Sequence, residues 1–354
     1  MPFFRKINKH IFVGPLPVKS PSGQSICFHA SYSAFENKIV FDSNIYRLLN
    51  FTKFLFLFPF ACFIYKGSLY FTGSRSLKGF LRDFWVITWG YLSKKKIINH
   101  IHGDDFLDFY TKSSIPSKFM IDFAYSKINI IVAPCDVVFK QFSNYPHMQF
   151  EVVENFYNLE FPSYFDSKSR FSKTKIIFLS NINLSKGIVE AIDVCHKLNS
   201  SGFNVTLDIC GSVIEDDQIN SSSLNLIIED AVRSPYIKYH DYVSNDLKVS
   251  LLCNSSIMLH PTSKDLAPLS IIEALSAGCY VISTNTGCIR AMLDGYFSDI
   301  CDKDISELAN AIRNYISEPS YVREKMASHN MNQARVQFSL ERYQSKLFSL
   351  LETL

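Results

Sequence analysis

The chain has 354 residues, which at ~150 residues per domain points to two domains. Hydrophobic residues make up 47% and charged residues 19%, enough apolar material for full cores, so a largely disordered chain is excluded. Lys and Arg number 36 against 33 Asp and Glu, a formal charge of +3; this lacks the clustered basic excess of a nucleic-acid binder, and no nucleic-acid partner is expected.

Phe is abundant at 31 residues, with 18 Tyr and 2 Trp, as in a chain with aromatic cores or one that rests against something greasy. The nine cysteines are scattered, none in a C-x-x-C pair, and most sit in apolar runs. They read as buried thiols of a reducing, cytoplasmic compartment. The opening MPFFRKINKHIFVGPLP has a short apolar stretch broken by Pro15 and Pro17 and does not read as a signal peptide.

In chain order, IFVG is a strand ending at Gly14 in a Gly/Pro loop, which runs through Gly23 into a helix. KIVFD (38–42) is a second strand. Phe54–Tyr65, FLFLFPFACFIY, is the longest apolar run, 12 residues with Pro59 inside; a spanning helix needs ~20. It reads as a core helix or, flanked by Lys53 and Lys66, as an interfacial segment. SLYFTG (68–73), KIINHIHG (96–103) and INIIVAP (128–134) are further strands, with helical patterns between. Residues 160–175 are polar and aperiodic, a linker. KIIFLS (175–180), NVTLDICG (204–211), SIMLH (256–260) and CYVIST (279–284) open a second series of strands. SIIEALSAG (270–278) is a helix closed by Gly278, and the tail from Ser339 is helical. Strands alternating with helices imply an α/β fold: two Rossmann-like halves of parallel sheet facing a cleft, with ligand at the carboxyl ends of the strands. The expected domains are 1–165, 166–335 and a C-terminal helix, 336–354, that crosses back to the first half.

The sharpest chemical signal is PTSKDLAPLSIIEALSAG (261–278). Asp265 lies in a loop and Glu273 eight positions on, inside a helix. Between them Pro268, Leu269 and Ser270 enter the helix, whose N-terminal N–H groups favour an anion such as a diphosphate. Glu273 is suited to accept from the two hydroxyls of a ribose, and Asp265 from those of a sugar. Lys186, in the strand-to-helix loop SNINLSKG, is a cation for a phosphate leaving group; as a lone lysine it also reads as a solvated surface residue.

These pieces bear a family resemblance. In order and spacing, FLSNINLSKG, LDICGS with Gly211, HPTSKDLAPLSIIEALSAG and CYVISTNTGCIRAML resemble the donor domain of the family-4 glycosyltransferases, retaining enzymes of the GT-B fold. In the first half, VGPLPVKSPSGQS, with Gly14 and Gly23, resembles that family's glycine-containing loop, HIHGDD resembles the strand end whose His, here His102, lies near the donor sugar, and VVENFYN resembles the strand end before the linker, with Asn155. YFTGSRSLKGFLRDF is similar to the subgroup that builds bacterial surface polysaccharides of the O-antigen type on lipid carriers. Two positions depart from the pattern: the first acid of E-x7-E is Asp265, one methylene shorter, and Asn181 stands where many members carry Arg.

The resemblance implies transfer of a sugar from a nucleoside-diphosphate sugar, UDP- or GDP-linked, to a hydroxyl of a lipid-linked oligosaccharide, with retention and without metal or cofactor. Lys186, Asp265 and His102 are the expected catalytic set. Glu273, Asn181, Gly211, Pro268, Leu269 and Ser270 are the expected donor contacts, and Phe54–Tyr65 with the lysines at 94–96 would seat the chain peripherally on the inner membrane. A non-catalytic nucleotide-sugar-binding subunit of the same fold is the alternative. His100 and His102 form an H-x-H pair, two ligands where a metal site needs more. DDFLD (104–108) reads as a solvated helix start rather than a diphosphate–magnesium motif. No P-loop, G-x-S-x-G or G-x-G-x-x-G is present.

Overall fold

The computed structural model describes residues 8–17, 22–43, 52–74, 76–162, 167–215 and 219–353. The chain divides into two compact units, Met1–Asn155 with Leu340–Leu354, and Phe156–Ser339.

The first unit runs β1 (His10–Gly14), α1 (Gly23–Ser33), β2 (Lys38–Asp42), a π-helical turn (Lys53–Leu57) continuing into α2 (Phe58–Ile64), β3 (Leu69–Thr72), α3 (Leu77–Leu92), β4 (Ile97–His100), α4 (Phe106–Lys112), α5 (Ile115–Tyr125), β5 (Ile130–Ala133) and β6 (Gln149–Val152). Its parallel sheet has the order β2-β1-β3-β4-β5-β6. The central strands β1, β3, β4 and β5 are buried along their whole length. That is why they are legible as unbroken apolar runs rather than as alternating ones. Gly14 closes β1 against the ring of Phe28, where a Cβ would lie 2.5 Å from the ring. Gly23 is the first residue of α1, whose N-cap Ser22 accepts from the Ser25 amide. Residues 18–21, the middle of the predicted glycine loop, lie outside the described residues.

The C-terminal helix Leu340–Glu352 belongs to this unit and buries Tyr343, Leu347 and Leu351. The Tyr343 hydroxyl lies 2.7 Å from Ser31 Oγ and donates to Cys27 O at 3.2 Å, both on α1. Phe348 stacks on Phe35, and Lys346 pairs with Glu154 at 2.8 Å.

The second unit runs α6 (Ser167–Ser172), β7 (Thr174–Leu179), α7 (Ile188–Ser200), β8 (Val205–Cys210), α8 (Ser221–Ala231), β9 (Ile237–Tyr239), α9 (Asn245–Asn254), β10 (Ile257–His260), α10 (Leu269–Ser276), β11 (Tyr280–Thr284), α11 (Ile289–Met292), β12 (Ser298–Cys301), α12 (Ile305–Ser317) and α13 (Ser320–Gln337). Its sheet, also parallel, has the order β12-β11-β10-β7-β8-β9. The core joins β7, β8 and β10 to the inner faces of α7 and α12. Ile188, Ala191, Ile192, Cys195 and Leu198 recur at helical spacing and are all buried there. Each of the Ile and Leu side chains among them contributes about 1.5–3 kcal/mol.

Several expectations are corrected. KIINHIHG is a strand only to His100; Ile101–Gly103 are irregular. The stretch expected as a linker, 160–175, holds α6 and the start of β7, with Arg170 and Phe171 buried and Pro162 O accepting from Arg335. The second unit starts ahead of it, at Phe156: Phe156 and Leu159 are buried, and the Tyr157 amide donates to Phe338 O. Residues 163–166 lie outside the described residues. Phe54–Tyr65 is neither a plain core helix nor fully surface: Phe54, Phe58, Ala61 and Cys62 are buried while Phe56, Leu57, Phe60, Phe63 and Ile64 are exposed. The expectation of nine thiols is corrected as well: Cys135 and Cys288 are disulfide-bonded. Burial pushes the free thiols of Cys27, Cys62, Cys195 and Cys210 up to about 12, so they stay protonated.

Candidate donor site

The site is built where three strands of the second unit end. After β7, Ile182 bridges to Val213 and a single 3-10 turn, Leu184–Lys186, follows. Asn183 caps that turn by accepting from the Lys186 amide at 3.0 Å. Gly187 then adopts φ +84° and leads into α7; a Cβ there would lie 2.2 Å from Pro261 O. Only glycine fits that backbone and that contact.

The loop after β10 is tied to this turn. Ser185 O accepts from the Ser263 amide at 2.7 Å and from the hydroxyls of Thr262 and Ser263 at 3.1 Å each. From the other side Thr262 O accepts from Thr284 Oγ1 and Thr286 Oγ1. Gly287, at φ +54°, packs directly on the backbone of Asp265 and Leu266.

These restraints bring Lys186 and Asp265 together. Lys186 Nζ donates to Asp265 Oδ2 at 2.6 Å and to Lys264 O at 3.0 Å. The same carboxylate oxygen lies 3.2 Å from Nε2 of His260, a fully buried residue at the end of β10. Burial pushes the Asp265 carboxyl up; the hydrogen bond and charge of His260, then those of Lys186, outweigh it and hold the group below the ordinary Asp value. Asp265 is thus an anion at neutral pH, one oxygen shared by two donors.

Glu273 lies in the second turn of α10, buried, with Lys248 Nζ of α9 at 2.9 Å from its Oε1. Burial pushes its carboxyl up, and Lys248 opposes the rise. At the start of α10, Pro268 is the N-cap. It has no N–H, so the expectation of donors at 268–270 is corrected: helix geometry leaves the amides of Leu269 and Ser270 without intrahelical acceptors. Gly211 follows β8 at φ +142°, where a Cβ would lie 1.8 Å from Ser180 O. Asn181 is exposed. Arg290 is exposed as well, its Nε donating to Asn285 Oδ1.

Residues 163–335 match the family model described as glycosyl transferases group 1. That segment is a group 1 glycosyl transferase domain. Over 178 residues the chain is 26% identical to the capsular polysaccharide biosynthesis glycosyltransferase CapM of Staphylococcus aureus, a match covering 50% of this chain and 45% of CapM, less than half of that relative's own length. The crystal structure of Anabaena Alr3699/HepE in complex with UDP and glucose aligns at TM-score 0.74 and 15% identity, covering 98% of this chain and 100% of the other. The sucrose-phosphate synthase of Thermosynechococcus elongatus aligns at TM-score 0.68 and 12% identity, covering 98% and 99%. At such identities the likeness carries the fold: α/β, with two parallel six-stranded sheets, of the GT-B glycosyltransferase type.

Within residues 163–335, each of the two acids marked by sequence pairs with a lysine, Asp265 with Lys186 and Glu273 with Lys248. Lys186 with Asp265 was legible; His260 and Lys248, which set the state of the two acids, were not. His260 differs from any other strand-end residue only through its distance to Asp265, and Lys248 lies on a helix with no motif of its own.

The remaining expected residues belong to the first unit. His102 follows the end of β4, its ring 4.2 Å from that of His100. His100 is fully buried, with Nδ1 bonded to the Tyr70 hydroxyl. Burial, then the charge of His102, holds it well below the ordinary imidazole value, so it is neutral. Asn155 is buried, with Cys27 Sγ 3.5 Å from its Oδ1. Asp104 and Asp105 sit at the start of α4. Among the described residues no three His, Cys, Asp or Glu gather as metal ligands.

Proposed function

We propose that the chain is a glycosyltransferase that moves a sugar from a nucleoside-diphosphate sugar to a hydroxyl of a lipid-linked oligosaccharide, with retention, in bacterial surface-polysaccharide assembly. The observation that carries the reading is the Lys186–Asp265 contact of 2.6 Å beside the start of α10. It joins a cation for a leaving phosphate to a carboxylate for sugar hydroxyls.

The bond from the sugar's anomeric carbon to the diphosphate breaks, and one to the acceptor oxygen forms. The acceptor proton passes to a phosphate oxygen. The barrier lies in the charge that develops on the diphosphate, and fixed donors already aimed at it lower that barrier most. Lys186 and the Leu269 and Ser270 amides supply them, and this reading routes no step through a metal. Glu273 accepts from the ribose hydroxyls, Asp265 orients the sugar, and His102 keeps the sugar contact that the family resemblance gives it. UDP-glucose is the first donor to try, since HepE was crystallised with UDP and glucose. The capsular polysaccharide role carried in CapM's name supports a polysaccharide acceptor. Among the described residues no helix is long and apolar enough to cross a membrane. The reading places the protein in the cytoplasm, peripheral on the inner membrane through Phe54–Tyr65.

The test is release of nucleoside diphosphate from a panel of nucleotide sugars, with membrane lipid extract as acceptor, with and without chelator. Release from one donor, indifferent to chelator and lost in Lys186→Ala and Glu273→Ala, is expected. Donor binding without release, whatever acceptor is supplied, supports instead the non-catalytic subunit, in which the shorter Asp265 binds but does not position.

A further inference from the structure

Surface helices normally turn polar side chains outward. Three helical elements of the first unit do the reverse, with exposed apolar residues four apart on each. They are Phe56 and Phe60 along the π-turn and α2, Leu77 and Leu81 on α3, and Ile115 and Phe119 on α5. Phe60 is 66% exposed and Phe119 73%, more than isolated surface apolar residues need. The elements are neighbours: Phe63 meets Trp89 of α3 edge-on at 6.1 Å, and Phe84 of α3 meets Phe123 of α5 at 6.1 Å. The stripes therefore lie on adjoining elements. Beside the first of them opens an apolar cavity of about 560 Å³, to which Leu57, Phe60 and Ile64 also contribute.

Charge selects the occupant. Between Asp42 and Asp104 the chain carries nine Lys or Arg and one acid, Asp83. Asp83 is buried and spent internally, accepting from Arg82 Nε at 2.8 Å and from the Ser74 amide at 2.6 Å. Lys66, Lys78 and Lys94 are exposed along the same stretch. On α5, Asp122 accepts from the hydroxyls of Tyr110 and Tyr145. A second copy of this chain would bring like charge against like. An anionic lipid surface takes both the apolar side chains and the lysines.

We propose that α2, α3 and α5 together form a docking face for an anionic bilayer, the apolar side chains entering the acyl boundary and the lysines lying among the headgroups. This deepens the peripheral-membrane part of the reading above; it rests on the surface of the first unit and not on the donor chemistry.

The chain supplies its own reporter, since its 2 tryptophans are Trp85 and Trp89, both half-buried on α3. Their rings lie 5.4 Å apart, and neither indole N–H has a partner among the described residues. The experiment is co-sedimentation and tryptophan emission with phosphatidylcholine vesicles, with and without phosphatidylglycerol. Binding to the anionic vesicles alone, a blue shift, and weakening by salt are expected. Phe60→Ser with Phe119→Ser should keep the Tm, both sites being exposed, and lower the partition by about tenfold or more. Lys66→Glu with Lys78→Glu should lower it as well. No binding to anionic vesicles, or equal binding by the serine double variant, overturns the proposal. So does a dimer in sedimentation equilibrium that this variant dissolves. UDP-sugar binding by calorimetry on the unsubstituted protein separates the two readings: donor binding without any vesicle binding counts against this face alone, and vesicle binding without donor binding against the donor site alone.

Discussion

Lys186 Nζ and His260 Nε2 converge on a single oxygen, Oδ2 of Asp265, at 2.6 and 3.2 Å. The lysine comes from the turn after β7 and the histidine from the end of β10, so the carboxylate is fixed by two strands that are hydrogen-bonded neighbours. Removing the cation should act on transfer more than on folding. Lys186→Ala is expected to reduce nucleoside-diphosphate release by roughly 10²–10³, as when a preorganised oxyanion donor is removed. The far-UV circular dichroism should be unchanged; a collapse of that spectrum would make Lys186 a structural residue first.

The lowered Asp265 carboxyl has a signature in stability. Between its folded value and its ordinary value the unfolded chain binds more protons, so stability rises with pH through that window. The contribution is present above the ordinary Asp value and lost as pH falls through the folded one. Asp265→Asn and His260→Gln should both flatten this acid limb in a Tm–pH series. A limb of unchanged slope in both would remove the coupling.

Glu273 runs the other way. Its carboxyl is already pushed up by burial against the pull of Lys248, so Lys248→Met should push it further. Donor affinity should then begin to fall at a higher pH on acidification. Glu273→Gln should lower affinity roughly tenfold to a hundredfold, the range for a hydrogen bond to a charged group, and abolish that pH dependence. Calorimetric titration of UDP from mildly acid to neutral pH reads both.

Gly287→Ala tests the loop. A Cβ there would lie 2.3 Å from Asp265 O, closer than any backbone oxygen tolerates, so the Asp265 loop must move. Donor binding should be lost while the rest of the second unit, whose core lies under α7 and α12, stays folded by hydrogen exchange.

Tyr343→Phe removes the hydroxyl shared with Ser31 and Cys27 O in a fully buried place. Two polar groups of α1 lose a partner, and about 1–3 kcal/mol of stability should go with it. Urea titration measures the loss directly.

How much was legible in the sequence follows from burial. Strands covered on both faces, such as β7 and β10, announce themselves as apolar runs, and their expected bounds differ from the observed ones by a residue. The three-residue β9 and the half-exposed β12 carry no such run and were not read, and the exposed edge strand β6 was read only as the strand end at VVENFYN, from the family resemblance. The acid–lysine set was legible because Lys186, Asp265 and Glu273 sit at punctuated positions, next to a glycine or a helix start. His260 and Lys248 act across distances that only the fold creates. Phe54–Tyr65 left two readings open because a run with apolar residues all round gives no period from which to choose a face.

The helix Leu340–Glu352 completes the first unit although the whole second unit is encoded before it. During synthesis the early sheet therefore waits, its α1 flank uncovered, until the last element of its own unit has left the ribosome. The second unit, Phe156–Ser339, has no such debt and can finish first. A chain interrupted after Ser339 would release a finished second unit attached to an unfinished first one, with α1 still bare and ready to aggregate.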